Sequence, residues 1–450
     1  MTRKHLLATL GLLMFLSLLV LAGLQEQQEE WQLYGNEVVN LSLPGGTVER
    51  CLTCHQGIEE ISTSHPIETF GCVSCHGGDG QALDKERAHE GLLGGRNPGA
   101  LTAAGEACGQ EGCHINTSNL YRSPVETVPL IPMATKAGEI TELAYTYGWQ
   151  KDLLSRYGVF EVTGYNGQDK EQLEERDLAS DKLELFSPSN NPLQQKFSEN
   201  CLAACHLNTG AGEIETAQHL AGCAACHTPY RSGGTYQGED PTINRAEPGH
   251  APEHKLTTAI PYTQCNACHN QGIHSISKIE FLPREDIPVG AITDPNADKN
   301  QAYYIPGAQY ALCEVELDCI DCHTHNEVMG DGHLTGNKKA AQTIACYDCH
   351  GTIDETAKTV EVDSETDNAI WASHYFHDNF PEVKVGDQLA VTDEDEAYVN
   401  VRMEGSRMVL YSKVSDKEYT VPQVKGSGCD QLVDEQAGED CHRCHDVSNN

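Results

Sequence analysis

The chain has 450 residues, enough for two or three ordinary domains, yet only 39% are hydrophobic, and 41 Gly with 19 Pro mark it as loop-rich. That apolar share is thin for a conventional core and points to a filler other than side chains; 20 Cys and 21 His are the abnormal counts. A formal charge of −37 repels phosphate backbones and excludes nucleic acid as a partner, leaving a self-repelling soluble surface or docking to basic proteins.

Residues 1–24 place Arg3 and Lys4 before 19 uncharged residues, Leu6 to Leu24, and the acidic QEQQEE follows. Positive charge ahead of an apolar run keeps the N-terminus in the cytoplasm and sends the remainder across the membrane. The run fits a signal peptide cleaved after Val20-Leu21-Ala22, or a retained N-terminal hydrophobic helix acting as a membrane anchor. On either reading the cysteines lie outside the cytoplasm.

From residue 51 onward one pattern recurs, two Cys followed directly by His. Three copies fall in segment 25–114: Cys51-Leu-Thr-Cys54-His55, Cys72-Val-Ser-Cys75-His76 and the longer Cys108-Gly-Gln-Glu-Gly-Cys113-His114. Five fall in segment 201–350: Cys201 and Cys205 with His206, Cys223 and Cys226 with His227, Cys265 and Cys268 with His269, Cys319 and Cys322 with His323, and Cys346 and Cys349 with His350. Segment 429–450 holds the ninth, Cys441-His442-Arg-Cys444-His445. Two thiols at this spacing can add to the two vinyl groups of one haem, and the adjoining imidazole then reaches the iron. A disulfide framework or a zinc site would not demand a His after every second Cys. The nine motifs predict nine c-type haems, one per 50 residues, with folding coupled to their attachment.

Through these motifs residues 51–445 resemble the multihaem c-type cytochromes, with segments such as HPIETFGCVSCHGGDG (65–80) and HKLTTAIPYTQCNACH (254–269) similar to others in that family. The resemblance implies mainly irregular coil with short α-helices packed around a chain of haems. It also implies that a His upstream of one motif serves a nearby haem as distal ligand.

Setting aside His5 and the nine proximal residues leaves 11 candidates: His65, His89, His219, His250, His254, His274, His325, His333, His374, His377 and His442. Nine would complete bis-His coordination throughout, which favours electron transfer over catalysis. His374 and His377 in SHYFH are spaced to share a helical face, as are His250 and His254. Supply is uneven, because no spare His occurs from 90 to 218. The third haem must borrow a distant His, accept Met133, take a ligand from another chain, or remain open as a catalytic site; a borrowed His is the first choice.

Two stretches lack the motif. Segment 115–200 reads as a helical insert, with helices over 138–158 and 169–186. Segment 351–428 reads as a linker helix followed by a small inserted antiparallel β module. In it Val383, Val385, Leu389, Val391, Val399, Val401, Val409, Tyr411, Tyr419 and Val421 recur with period two between turn signals. A structural cap is the plain reading of that module. Cys313 and Cys429 are left over and could pair; Cys429 could instead pair with Cys441 or Cys444 in a long-spacer motif, although regular spacing matches the chain's dominant pattern.

The expectation is an electron carrier between redox partner proteins at the outer face of the cytoplasmic membrane, in the periplasm or outside the cell. A homopolymer, as in extracellular cytochrome filaments, or a membrane complex are the assemblies in view. The alternative is a multihaem oxidoreductase acting on a small nitrogen or sulfur compound at one open haem. The chain lacks the Cys-x-x-Cys-Lys motif of pentahaem nitrite reductases, and resembles octahaem cytochromes only in having many haems.

Overall fold

The computed structural model describes residues 14, 15, 17 and 29–429, with gaps at 111, 117, 165–169, 203–205, 209–219, 230–234, 248, 270–279, 284–303, 309–316 and 378; at 170, 201, 263, 266–267, 280–283 and 304–308 it describes the backbone alone. The expectations for most of the 1–24 helix and for Cys205, His219, His274, Cys313, Cys441, His442, Cys444 and His445 lie outside the described residues, as does the side chain of Cys201. Among the described residues no helix is long and apolar enough to cross a membrane. The chain divides into two compact units. One comprises Met1–Pro98, Tyr236–Glu247 and Glu253–Lys255; the other comprises Gly99–Thr235, Pro248–Pro252 and Leu256–Asn450.

Cysteines three apart, with His next, lie on one side of a helical turn, and five motifs form short helices: α1 (Val73–His76), α2 (Cys223–His227), α3 (Tyr262–His269), α4 (Cys319–Cys322) and α5 (Cys346–His350). The first motif forms a 3₁₀ turn, Cys51–Thr53. Gly77 and Gly351, directly after His76 and His350, take φ of 70° and 67° and carry the chain away from the motif in a conformation that disfavours side chains.

In the first unit the ordered elements are single turns and a two-residue hairpin, Leu41–Ser42 against Val48–Glu49. Among its described residues Tyr236 is the one apolar side chain that is buried; Glu49, Thr53 and Asp240 are the buried polar ones. An assembly of this size without an apolar interior needs a staple or a cofactor to fold.

The second unit contains all five clusters of buried apolar residues. Its largest element is an antiparallel meander of β1 (Thr359–Glu361), β2 (Gln388–Val391), β3 (Ala397–Glu404), β4 (Arg407–Tyr411) and β5 (Glu418–Val421). The pairing of β2 with β3 shifts register between Ala397 and Arg402. That irregularity lets both Tyr398 and Val401 join one cluster while Val399 joins the other. One face packs Ala390, Tyr398, Met408 and Leu410 against Leu317, Ile344 and Cys349; the other packs Leu389 and Val399 against the helix Asn368–Ser373. The sheet is therefore covered on both faces and is an interior element of its unit.

The insert 115–200 differs from its helical reading. The first helix runs only over Ala137–Thr146, and the chain turns at Gly148, whose φ is 70°. The second covers Lys170–Glu175; Asp177 then takes the left-handed region, and Lys182–Leu185 becomes the central strand of a three-stranded sheet with Tyr157–Gly158 and Val162–Thr163. Leu178 and Leu183 are buried there, so tertiary packing overrides the helical pattern.

Candidate haem-binding sites

In the first unit the histidines come together in pairs. The rings of His55 and His89 are 6.1 Å apart, and those of His76 and His254 are 6.0 Å apart. Two imidazoles on opposite sides of one metal ion, each bonded at about 2.0 Å with about 1.1 Å from nitrogen to ring centre, would stand about 6 Å apart. Each pair joins a motif His to a spare one, and His254 comes from far along the sequence.

The outward nitrogens are anchored as metal-bound imidazoles require. His55 Nδ1 meets Asp240 Oδ2 at 2.7 Å, and His254 Nδ1 donates to the Glu59 carbonyl at 3.0 Å. In the second unit His227 Nδ1 donates to Thr257 O at 2.9 Å, His350 Nδ1 to Pro422 O at 2.8 Å, and His323 Nδ1 meets Glu327 Oε2 at 2.6 Å. In each case Nδ1 is the anchored atom, so Nε2 is the nitrogen that would be left for coordination. Burial lowers the His55 pKa, but the hydrogen bond and charge of Asp240 outweigh it and hold the group above its ordinary value. Burial, with the charges of His254 and His55, takes His76 down to about 4, leaving it neutral and able to coordinate at neutral pH.

The thiols of neighbouring motifs also meet. Cys51 and Cys72 share a hydrogen bond, as do Cys265 and Cys319, and Cys226 lies near enough for its charge to act on Cys265. Glu49, Cys51 and Cys72 place their ligand atoms within 4.8 Å of one another. The Glu49 carboxylate of that grouping also accepts from the N–H groups of Cys72, at 2.6 Å, and Val73. Burial pushes the Cys223 and Cys226 thiols up to about 11, which keeps both protonated at neutral pH. Cys51, Cys54, Cys72, Cys113, Cys223, Cys226, Cys265 and Cys429 carry no disulfide.

The β module has a role that its sequence does not announce. The seventh and eighth motifs each carry Asp as their third residue, and both carboxylates reach back to cap their helix. Asp321 accepts from Asp318 N at 2.9 Å, and Asp348 from Ala345 N at 2.8 Å. The β module holds the same carboxylates: Lys413 N, in the turn after β4, donates to Asp321 Oδ1 at 2.6 Å, and the hydroxyl of Tyr398 in β3 donates to Asp348 Oδ2 at 2.8 Å. Asn400 donates to Asp321 O, Lys413 Nζ to Ile320 O and Gln423 to Cys349 O. Burial raises Asp321 above the ordinary carboxylate range and Asp348 to about 6. The sheet thus forms the wall on which two motif helices are mounted.

Other candidates are placed differently. His65 pairs with Ser62 Oγ, and His333 Nδ1 lies 3.2 Å from Asp331 Oδ2. His206 and His377 turn Nε2 to the carbonyls of Leu202 and Ser412, opposite to the pattern above. His374 and His377 follow the end of their helix instead of sharing its face, with His374 3.8 Å from Glu382. His250 and His254 belong to different units and lie on no helix. His114 and His269 are exposed. Met133 packs with Val128, Ile131, Ala134, Leu207 and Ala225, the surroundings of a core side chain. His325 stacks on Tyr121 at 3.7 Å with its Nε2 buried and without a hydrogen-bond partner, and burial takes its pKa down to about 4.

No protein-family model, curated protein or solved structure matches the chain.

Proposed function

We propose that the chain is an extracytoplasmic electron carrier that holds nine c-type haems, with bis-His coordination at most of them. The observation that carries this reading is the pairing of His55 with His89 and of His76 with His254 at the spacing of two ligands on one metal ion. Bound haem would supply reversible one-electron chemistry at iron. The chain's residues fix the rest. Asp240 and the Glu59 carbonyl orient two of the imidazoles. The Cys51–Cys72 and Cys265–Cys319 contacts draw successive attachment sites together, which suits transfer from one to the next. The acidic surface fits docking to basic redox partner proteins.

Electron paramagnetic resonance of the oxidised, haem-loaded protein tests the proposal. Low-spin ferric signals that cyanide and nitrite leave unchanged are expected. A high-spin signal that binds either ligand would favour the oxidoreductase reading, with one open iron as its active site.

A further inference from the structure

We propose that His325 supplies the sixth ligand of the haem carried by Cys108, Cys113 and His114, closing the one centre for which the sequence offers no neighbouring histidine. The inference rests on the multihaem reading and completes its ligand set. Residues 90–218 hold no spare His, and Met133, the thioether nearest in sequence, belongs to an apolar cluster.

The loop that follows His114 is folded tightly. Asn116 N donates to Ser123 Oγ at 2.8 Å, and the same hydroxyl donates to Asn116 O at 2.8 Å, so Asn116 and Ser123 are held together. Tyr121 stands two residues before Ser123, the residue tied to Asn116. His325 lies against this loop, its ring stacked on Tyr121 at 3.7 Å and 28°.

The surroundings fix the contact. Thr127 donates to Met329 O, and the helix His325–Met329 begins at the Thr324 cap, whose hydroxyl accepts from Glu327 N. Gly330, with φ of 86°, leaves no room for a side chain beside Ile131 and the Thr127 carbonyl. His325 cannot serve the iron of its own motif, because His323 two residues earlier is that iron's proximal ligand.

Its Nε2 is buried without a partner. Leaving a buried ring nitrogen unsatisfied is unfavourable, and coordination would remove that penalty.

Ferric electron paramagnetic resonance of the haem-loaded chain carrying His325→Ala tests the assignment. One new high-spin iron per chain is expected, returning to low spin when imidazole is added. The same substitution in a Cys108→Ser/Cys113→Ser background, which lacks the third haem, should produce no high-spin iron. A high-spin signal that persists in that background would give His325 to another haem, and a wholly low-spin His325→Ala spectrum would remove it as a ligand; either overturns the proposal. His325→Met, which keeps a ligand at the position, should give the sulfur-to-iron band of His/Met coordination even where the alanine variant misfolds, and its absence would count against the assignment. Haem count per chain separates the two levels of failure. Nine haems with an unchanged spectrum defeats this assignment alone, whereas no covalent haem defeats the reading beneath it.

Discussion

The two units solve the same folding problem in opposite ways. The second builds five apolar clusters and a sheet covered on both faces, with Leu389 and Val401 wholly buried. Among its described residues the first buries one apolar side chain, Tyr236, while its imidazoles and thiols converge. The difference teaches that the haems would have unequal structural weight. In the first unit they would replace the core, and in the second they would be mounted on one that protein already supplies.

The largest expected effect is on folding without haem. When the full chain is made without thioether attachment, hydrogen exchange should find residues 29–98 close to unprotected, while the central strands β3 and β4 keep slow amides. Protection across 29–98 in the haem-free chain would erase the contrast between the units. Next comes Leu389→Ala, which opens a cavity in the sheet and should cost the second unit about 2–5 kcal/mol by denaturant unfolding. The low-spin signals of the His55 and His76 haems should be unaffected by that change. Equal loss in both units would show one shared core.

Asp240→Ala should act more narrowly, removing the carboxylate behind His55 and weakening that imidazole as a donor. A weaker donor disfavours ferric iron, so the potential of that haem should rise, by about 60 mV for each tenfold loss of preference, with the other centres unmoved in a redox titration. An unchanged potential would mean that Asp240 only packs against the ring. The smallest effect is expected from Lys85→Ala, which removes an exposed pair with Glu30 at 3.6 Å and should change stability by less than about 1 kcal/mol in thermal unfolding. A larger loss would show that surface charge, and not the buried haem sites, holds the first unit together.

The proposed attachment chemistry could be read from sequence because it would be covalent and local: the Cys-to-His spacing is written directly in residues such as Cys72-Val-Ser-Cys75-His76. The strands between 388 and 421 were legible as well, since alternation of apolar residues is a local signal. The partner of each imidazole was not. His254 meets His76, and Asp240 meets His55, through tertiary folding over long sequence separations that no local pattern encodes. The insert misled for a related reason. DKEQLEERDLASDKLELF has helical composition, but burial of Leu178 and Leu183 draws its second half into a sheet. The sheet's service to the seventh and eighth motifs rests on Tyr398, Asn400 and the turn residue Lys413, which look ordinary until their hydrogen bonds to Asp348, Asp321 and Ile320 are seen.

The central claim is that the nine motifs carry haem and that this cofactor stands in for the core the first unit lacks. Intact-mass measurement of the full chain, matured in a host with c-type haem attachment machinery and followed by peptide mapping, tests it directly. Nine haem additions are predicted, using 18 of the 20 Cys, with thioethers at Cys51, Cys54, Cys72 and Cys75 of the first unit. A bare chain whose motif cysteines are found as disulfides or zinc thiolates would contradict it.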